Sequence, residues 1–118
     1  MLQKINQVRA RHGLGPLRLS PSLRRSSGRF AHWLMATDQF GHRANVSASH
    51  RFSRLGEALA MHAGRKPAVR HTVREWLASP PHRRIVLSRG MPWIGLGMSR
   101  GRFGSHRAVI WVLQVGKL

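Results

Sequence analysis

The 118-residue sequence predicts an α+β fold on three observations. Apolar residues recur at helical spacing in three segments, and a short apolar run lies before the third of them. The chain then closes with two β-like runs separated by a turn rich in glycine and arginine. A chain of this length has room for one modest hydrophobic core, so we expect a single domain that spans residues 1–118.

The first two helices are predicted from apolar spacing and from capping residues. Leu2, Ile5 and Val8 recur at helical spacing, and Gly13 ends the pattern. Ser20-Pro21 starts the second helix, because serine can accept a hydrogen bond from an orphan amide and proline has no amide to lose. The expected buried face of this helix comprises Leu23, Ser27, Phe30, Ala31 and Leu34.

The second helix pattern dissolves at Asp38, and residues 41–53 are polar and without periodicity. Such a segment suits the rim of a cleft. A single helical turn is expected from Arg51 to Leu55, followed by a strand over Glu57 to Met61.

The third helix begins near Ala68, with Val69, Val73 and Trp76 on its buried face, and ends at Ser79-Pro80-Pro81. A short helical segment follows. The closing hairpin is predicted from β-branched and aromatic residues in two runs, Trp93 to Met98 and Ala108 to Val115.

Several short motifs follow one another along the chain in a fixed order. Two of them contain histidine, Phe40-Gly-His42 and Ser79-Pro-Pro-His82-Arg83, and they bracket Leu55-Gly-Glu57-Ala58. The start of the chain adds Ile5-Asn6-x-x-Arg9-Ala10, and Ile94-Gly95-Leu96-Gly97 stands after the second histidine. This ordered series resembles the CAP superfamily, the SCP-like extracellular domain of cysteine-rich secretory proteins, antigen 5 and pathogenesis-related proteins, in its short bacterial form.

The resemblance covers about Leu2 to Val115 and implies a fold and a site. The implied fold is a three-layer αβα sandwich with a small, mainly antiparallel central sheet, usually secreted. The implied site is a cleft with two histidines and two acidic residues that binds a divalent metal in several members. By motif, His42, Glu57 and His82 are the binding residues, and His42 and His82 are the metal ligands. The second acidic residue is missing, since positions 45–48 hold Asn, Val, Ser and Ala.

Site chemistry leaves several functions open. Two histidines and one glutamate form the minimum ligand set for zinc, and a site lacking the second carboxylate should bind the ion weakly. If the cleft is a metal-assisted hydrolase, Glu57 is the candidate general base on a metal-bound water, or Ser79 or Ser47 is a nucleophile next to a histidine. No Gly-x-Ser-x-Gly or His-Glu-x-x-His motif is present, which favours a binding or interaction module over an enzyme. An arginine partner for Glu57 is the purely structural alternative.

Charge is the second feature that needs an explanation. The net charge is +18, with eighteen Arg and three Lys against three acidic residues. Such a surface attracts polyanions, so a basic adaptor for anionic cell-wall polymers or lipids is a third alternative. The charges are spread along the chain and the aromatic residues lie inside apolar patterns, which argues against specific nucleic-acid recognition.

The remaining histidines and Glu75 carry no motif. We expect Glu75 to form a solvated ion pair on the polar face of its helix, and His32, His62 and His71 to lie at the surface.

Cysteine is absent, so the fold has no disulfides. Apolar runs are too short for a membrane span, and no signal-peptide pattern opens the chain, so export is inferred from the resemblance alone. We expect a monomer.

Overall fold

A computed structural model describes residues 1–43 and 51–118 of the chain. The elements it contains are, in chain order, α1 (Leu2–Arg11), β1 (Arg18–Leu19), α2 (Pro21–Thr37), β2 (Arg54–Ala63), α3 (Val69–Ala78), α4 (Pro80–Val86), β3 (Trp93–Phe103) and β4 (His106–Lys117). None of the helices within these two ranges is both long and apolar enough to cross a membrane.

The strands form one mixed sheet in the order β1-β3-β4-β2. The hairpin strands β3 and β4 pair antiparallel, and β2 pairs antiparallel with the other edge of β4. The short β1 adds to β3 in parallel, with Arg18 opposite Trp93. The α+β fold with a mainly antiparallel sheet is therefore confirmed.

Alternation along β4 divides the core into two layers, because successive strand side chains point to opposite faces. Ala108, Ile110 and Val112 pack with α2 on one face. Val109, Trp111 and the residues that alternate with them pack with α1, α3 and α4 on the other face. Helices thus cover both faces of the sheet, as the three-layer αβα prediction requires.

Helix α2 packs closely on β3, at the point where glycines of that strand face the helix. Gly95 faces the backbone of Leu23, and Gly97 faces the backbone of Ser27. A Cβ atom at either glycine would fall well under 3.0 Å from those backbone atoms. Gly95 and Gly97 are therefore the surface on which α2 packs, and the absence of a side chain permits that close approach.

Polar side chains of α1 fasten the start of the chain in a protein without disulfides. The Asn6 side chain donates to the Leu17 carbonyl at 3.2 Å and accepts from the Leu17 amide at 2.9 Å. Arg9 is 5% exposed, and its guanidinium donates to the carbonyls of Gly15, Val86 and Ser88 at 2.8 to 2.9 Å. Burial lowers the pKa of Arg9, because desolvation disfavours the charged form. These bonds tie α1 to the segment that follows it and to the end of α4.

The local predictions hold in most places. Ser20 Oγ accepts from the Leu23 amide at 3.2 Å, and α2 ends where Asp38 adopts a left-handed conformation. The helical turn expected from Arg51 to Leu55 is wrong, because β2 already begins at Arg54. Strand pairing also extends the hairpin: β3 and β4 run to Phe103 and from His106, so the predicted turn shrinks to two residues.

Candidate functional site

Glu57 lies on β2 with its side chain only 8% exposed. Its strand neighbours Gly56 and Ala58 face α3 and α4, so Glu57 projects towards the α2 side of the sheet. It is one of three acidic residues in the chain. A buried carboxylate is costly unless it is paired and hydrogen-bonded, so its partners define the site.

Both carboxylate oxygens of Glu57 accept hydrogen bonds. His42 Nδ1 donates to Oε1 at 2.8 Å, and Gln114 Nε2 donates to Oε2 at 2.8 Å. Since the carboxylate can only accept, this contact puts a proton on Nδ1 of His42, and in the neutral ring Nε2 keeps its lone pair. The His42 side chain is 54% exposed, so that nitrogen is available to a ligand. Among the described residues, the ion-pair partner of Glu57 is His42 and not an arginine.

His42 reaches Glu57 because the chain after α2 folds back against that helix. The Arg43 guanidinium lies 4.0 Å from the centre of the Trp33 ring and 5.3 Å from that of Phe30. These two rings of α2 are stacked, with centroids 6.0 Å apart. A cation over an aromatic face is attracted by the ring electrons, so this contact anchors the residue next to His42.

His82 lies in the first turn of α4, half-buried. Ile85, one turn further along α4, occupies the space beside Gly56, so α4 covers this end of β2 from the face opposite the Glu57 side chain. Within residues 1–43 and 51–118, no hydrogen bond or ion pair joins His82 to His42 or Glu57. The pairing of His42 and His82 around a ligand stays a prediction. Positions 45–48, where the second acidic residue is missing, lie outside the described residues.

The donor chemistry around Glu57 suits a cation. Gln114 is buried, and its Oε1 has no hydrogen-bond partner among the described residues. An imidazole nitrogen, a carboxylate and an amide oxygen are therefore grouped with more acceptors than donors. Neutral imidazole is a zinc ligand, and a carboxylate bound to its second nitrogen is the usual outer partner of such a histidine. His42 and Glu57 therefore fit the divalent cation that the resemblance implies.

A second group of histidine and glutamate was missed by the sequence analysis. One ligand atom from each of His62, His71 and Glu75 lies within 4.8 Å of the other two, and no other such trio occurs in the part of the chain that the structure describes. This group could hold a metal ion. The expectation that His62 lies at the surface is wrong, because β2 runs on to Ala63 and α3 covers the ring, leaving 11% exposed.

Glu75 pairs with His71 across one helical turn, at 2.9 Å between Oε1 and Nε2. The solvated ion pair expected for Glu75 is therefore present. Burial lowers the pKa of His62, an effect that Glu75 opposes and His71 reinforces. The signal that could have revealed this group is the His71-x-x-x-Glu75 spacing, which places both side chains on one helix face.

Basic side chains line a groove between α1 and α3. Its volume is about 490 Å³, and Lys4, Arg11, Arg70 and Arg74 line it together with Val8, Val73 and Leu77. None of these four cationic side chains forms an ion pair with a described residue. The groove is therefore a concentrated part of the positive surface.

The layered fold with a histidine and glutamate site defines the class of protein as SCP-like. The sequence matches the family model of CAP, the cysteine-rich secretory protein family, over residues 2–115. The chain belongs to this family. A search of curated proteins finds no match.

Solved structures repeat the fold at low sequence identity. An outer surface protein of Borrelia burgdorferi is 20% identical, with a TM-score of 0.79 over 98% of this chain and 88% of that one. The SCP domain of an extracellular protein from Bacillus anthracis is 18% identical, with a TM-score of 0.74 over 99% of this chain and 40% of that one. Venom allergen-like protein 4 of Schistosoma mansoni is 12% identical, with a TM-score of 0.67 over 98% and 84%. At such identities the similarity establishes the fold alone.

Proposed function

We propose that this CAP domain is an extracytoplasmic binding module whose ligand site is the cleft formed by His42, Glu57 and His82. The observation that carries the proposal is the buried Glu57 carboxylate, held by Gln114 and His42 with both oxygens occupied. The location outside the cytoplasm is supported by the names of two similar structures, an outer surface protein and an extracellular protein.

Binding is favoured over hydrolysis by the state of Glu57. A general base must be within hydrogen-bond reach of the proton it removes. Both Glu57 oxygens already accept N–H groups, and the side chain is 8% exposed, so this carboxylate is engaged in holding His42. Ser79 precedes Pro80 at the start of α4, and its side chain caps no amide there. Among the described residues it makes no hydrogen bond to a histidine or a carboxylate.

A divalent cation such as zinc would be held in this cleft by the imidazoles of His42 and His82. Its positive charge would attract an anionic or carbonyl group of the ligand. Glu57 would accept the hydrogen bond from His42 Nδ1 and so fix the tautomer in which Nε2 is free to bind the metal. Carboxylates often stabilise metal-ligating histidines in this way. Because the chain lacks the second acidic residue and carries a charge of +18, the affinity should be low.

Zinc titration calorimetry at pH 7.5 and at pH 5.5 tests the site. The wild type should bind zinc at pH 7.5 and release it at pH 5.5, because zinc ligation requires neutral imidazole and histidine titrates near pH 6.5. His42→Ala and His82→Ala should each remove this binding event. Glu57→Gln should lower the zinc affinity roughly 10- to 100-fold, because the carboxylate that holds the proton on Nδ1 of His42 is lost.

His106→Ala is the matched control, since His106 is an exposed histidine at the hairpin turn. It should bind zinc like the wild type. Equal binding by the wild type and all three site variants would place the ion elsewhere and contradict the cleft site. Loss in His42→Ala with no change in His82→Ala would remove His82 from the site.

The groove between α1 and α3 favours a second candidate function, a basic adaptor for anionic polymers or lipids. Four cationic side chains surround three apolar ones there, which suits an anionic group attached to an apolar chain. Each Lys or Arg near an anionic membrane contributes about 1 kcal/mol of attraction, and salt screens it.

The affinity of the protein for vesicles that contain phosphatidylglycerol tests this second function. Neutralising the groove with Lys4→Gln, Arg11→Gln, Arg70→Gln and Arg74→Gln should weaken vesicle binding at least about tenfold more than the control does. The control removes the same charge from exposed positions elsewhere, with Gln at Arg24, Arg25, Arg29 and Arg89. Equal losses in the two proteins would mean that total charge, and not the groove, sets the binding.

A further inference from the structure

We propose that His62, His71 and Glu75 form a second metal site, specific for a first-row transition dication such as zinc and separate from the cleft at Glu57. The site joins the end of β2 to one face of α3. It goes beyond the proposed function, since it shares no residue with the cleft.

The three side chains are already gathered. His71 Nε2 lies 2.9 Å from Glu75 Oε1, and His62 Nδ1 lies 3.9 Å from Glu75 Oε2. The two imidazole rings meet edge to face with centroids 5.2 Å apart. With zinc bonds of about 2.0 to 2.1 Å, two ligand atoms of a tetrahedral site are about 3.4 Å apart. A small movement of Glu75, which is 50% exposed, brings its oxygen to that distance from His62.

Hydrogen bonding fixes the tautomer of His62. Thr72 Oγ1 donates to the Ala68 carbonyl at 2.8 Å, so its proton is used. The contact of 2.7 Å between Thr72 Oγ1 and His62 Nε2 therefore has the imidazole as donor. With the proton on Nε2, the neutral ring carries a lone pair on Nδ1, the atom that faces Glu75.

That lone pair is buried and faces Glu75. His62 Nδ1 is buried and makes no hydrogen bond among the described residues. It faces a carboxylate oxygen that is itself an acceptor, so two acceptors point at one another across 3.9 Å. A buried acceptor left unpaired costs about 1 to 3 kcal/mol. A cation between the two atoms removes this conflict, since it binds both.

Ligand type selects the class of ion. Two imidazoles and one carboxylate suit Zn²⁺, Co²⁺, Ni²⁺ or Cu²⁺, whereas Mg²⁺ and Ca²⁺ prefer oxygen ligands alone. Thr72 supplies the outer hydrogen bond that metal-ligating histidines usually make through their second nitrogen. With three protein ligands and a half-exposed Glu75, water or a ligand atom can take the fourth position.

The test uses a protein in which the cleft has been disabled, His42→Ala/His82→Ala, so that zinc can report on the second site alone. Calorimetry at pH 7.5 should show one bound zinc. Nitrogen-15 spectra of the histidine rings should show zinc shifting Nδ1 of His62 while Nε2 remains protonated. Glu75→Gln and His71→Gln, both at exposed positions, should each weaken binding at least tenfold.

Thr72→Val separates a built site from surface chelation. It keeps His71 and Glu75 and removes the hydroxyl that orients His62, so zinc affinity should fall about 10- to 100-fold. The melting temperature checks that this buried variant is folded, and His71→Gln serves if it is not. His106→Gln is the control and should bind zinc unchanged.

The proposal is overturned if zinc leaves the His62 ring signals unmoved, or if the His71→Gln and Glu75→Gln proteins bind as tightly as His106→Gln. A different result is expected if the cleft at Glu57 does not bind zinc. In that case the His42→Ala/His82→Ala protein binds as much zinc as the wild type, and His71→Gln removes all of it.

Discussion

Replacing Gly97 by alanine should destabilise the protein by at least about 3 kcal/mol. The added methyl group would fall on the backbone of Ser27 and Gly28 in α2, well under 3.0 Å from atoms that have no rotamer to change. Overpacking in a core costs about 1 to 3 kcal/mol when side chains can adjust, and more when they cannot. Because α2 must lift away from β3, Gly95→Ala should act in the same direction. Urea denaturation of the purified variants measures the loss.

Gly28→Ala is the matched control, from the other side of the same contact. A Cβ at Gly28 meets no atom within 4 Å, and the residue lies inside α2. Alanine there should stabilise the protein by about 0.5 to 1 kcal/mol, since glycine is the poorer helix former. A Gly97→Ala protein as stable as the wild type would show that α2 does not lie this close to β3.

Trp76→Ala should cost about 3 to 5 kcal/mol, the range for removing a large aromatic side chain from a core. Trp76 is 1% exposed and packs in the layer that α3 shares with the sheet, next to Val73. Its indole nitrogen also donates to the Leu59 carbonyl of β2 at 3.0 Å. The prediction that this helix face is buried is confirmed, and the free energy of unfolding in urea gives the magnitude.

Two further substitutions separate the contributions of the Trp76 hydrogen bond and of its burial to stability. Trp76→Phe keeps most of the apolar area and leaves the Leu59 carbonyl unpaired, so a loss of about 1 to 3 kcal/mol is expected. Trp33→Ala removes a tryptophan that is only partly buried on α2, and it should cost less than Trp76→Ala. If Trp76→Ala loses under about 1 kcal/mol, the packing of α3 against β2 is wrong.

Local sequence patterns were sufficient for the helices and for the hairpin. Ser20-Pro21 predicted the start of α2, and Asp38 marks its end, because capping depends on a few adjacent residues. The spacing of Val73 and Trp76 predicted the buried face of α3. The two-residue β1 could not be predicted, since it exists through pairing with β3 and through Asn6, whose side chain bonds both backbone groups of Leu17.

The sequence by itself determined the family, the α+β class and the two-faced helices, because each depends on residue order and short-range periodicity. Only the tertiary structure decided which polar groups meet. The contact between His42 and Glu57 depends on how the chain after α2 folds back. The trio of His62, His71 and Glu75 depends on the packing of α3 against the end of β2. Such contacts join residues that are distant in sequence, and their energies arise only when burial removes water from the groups involved.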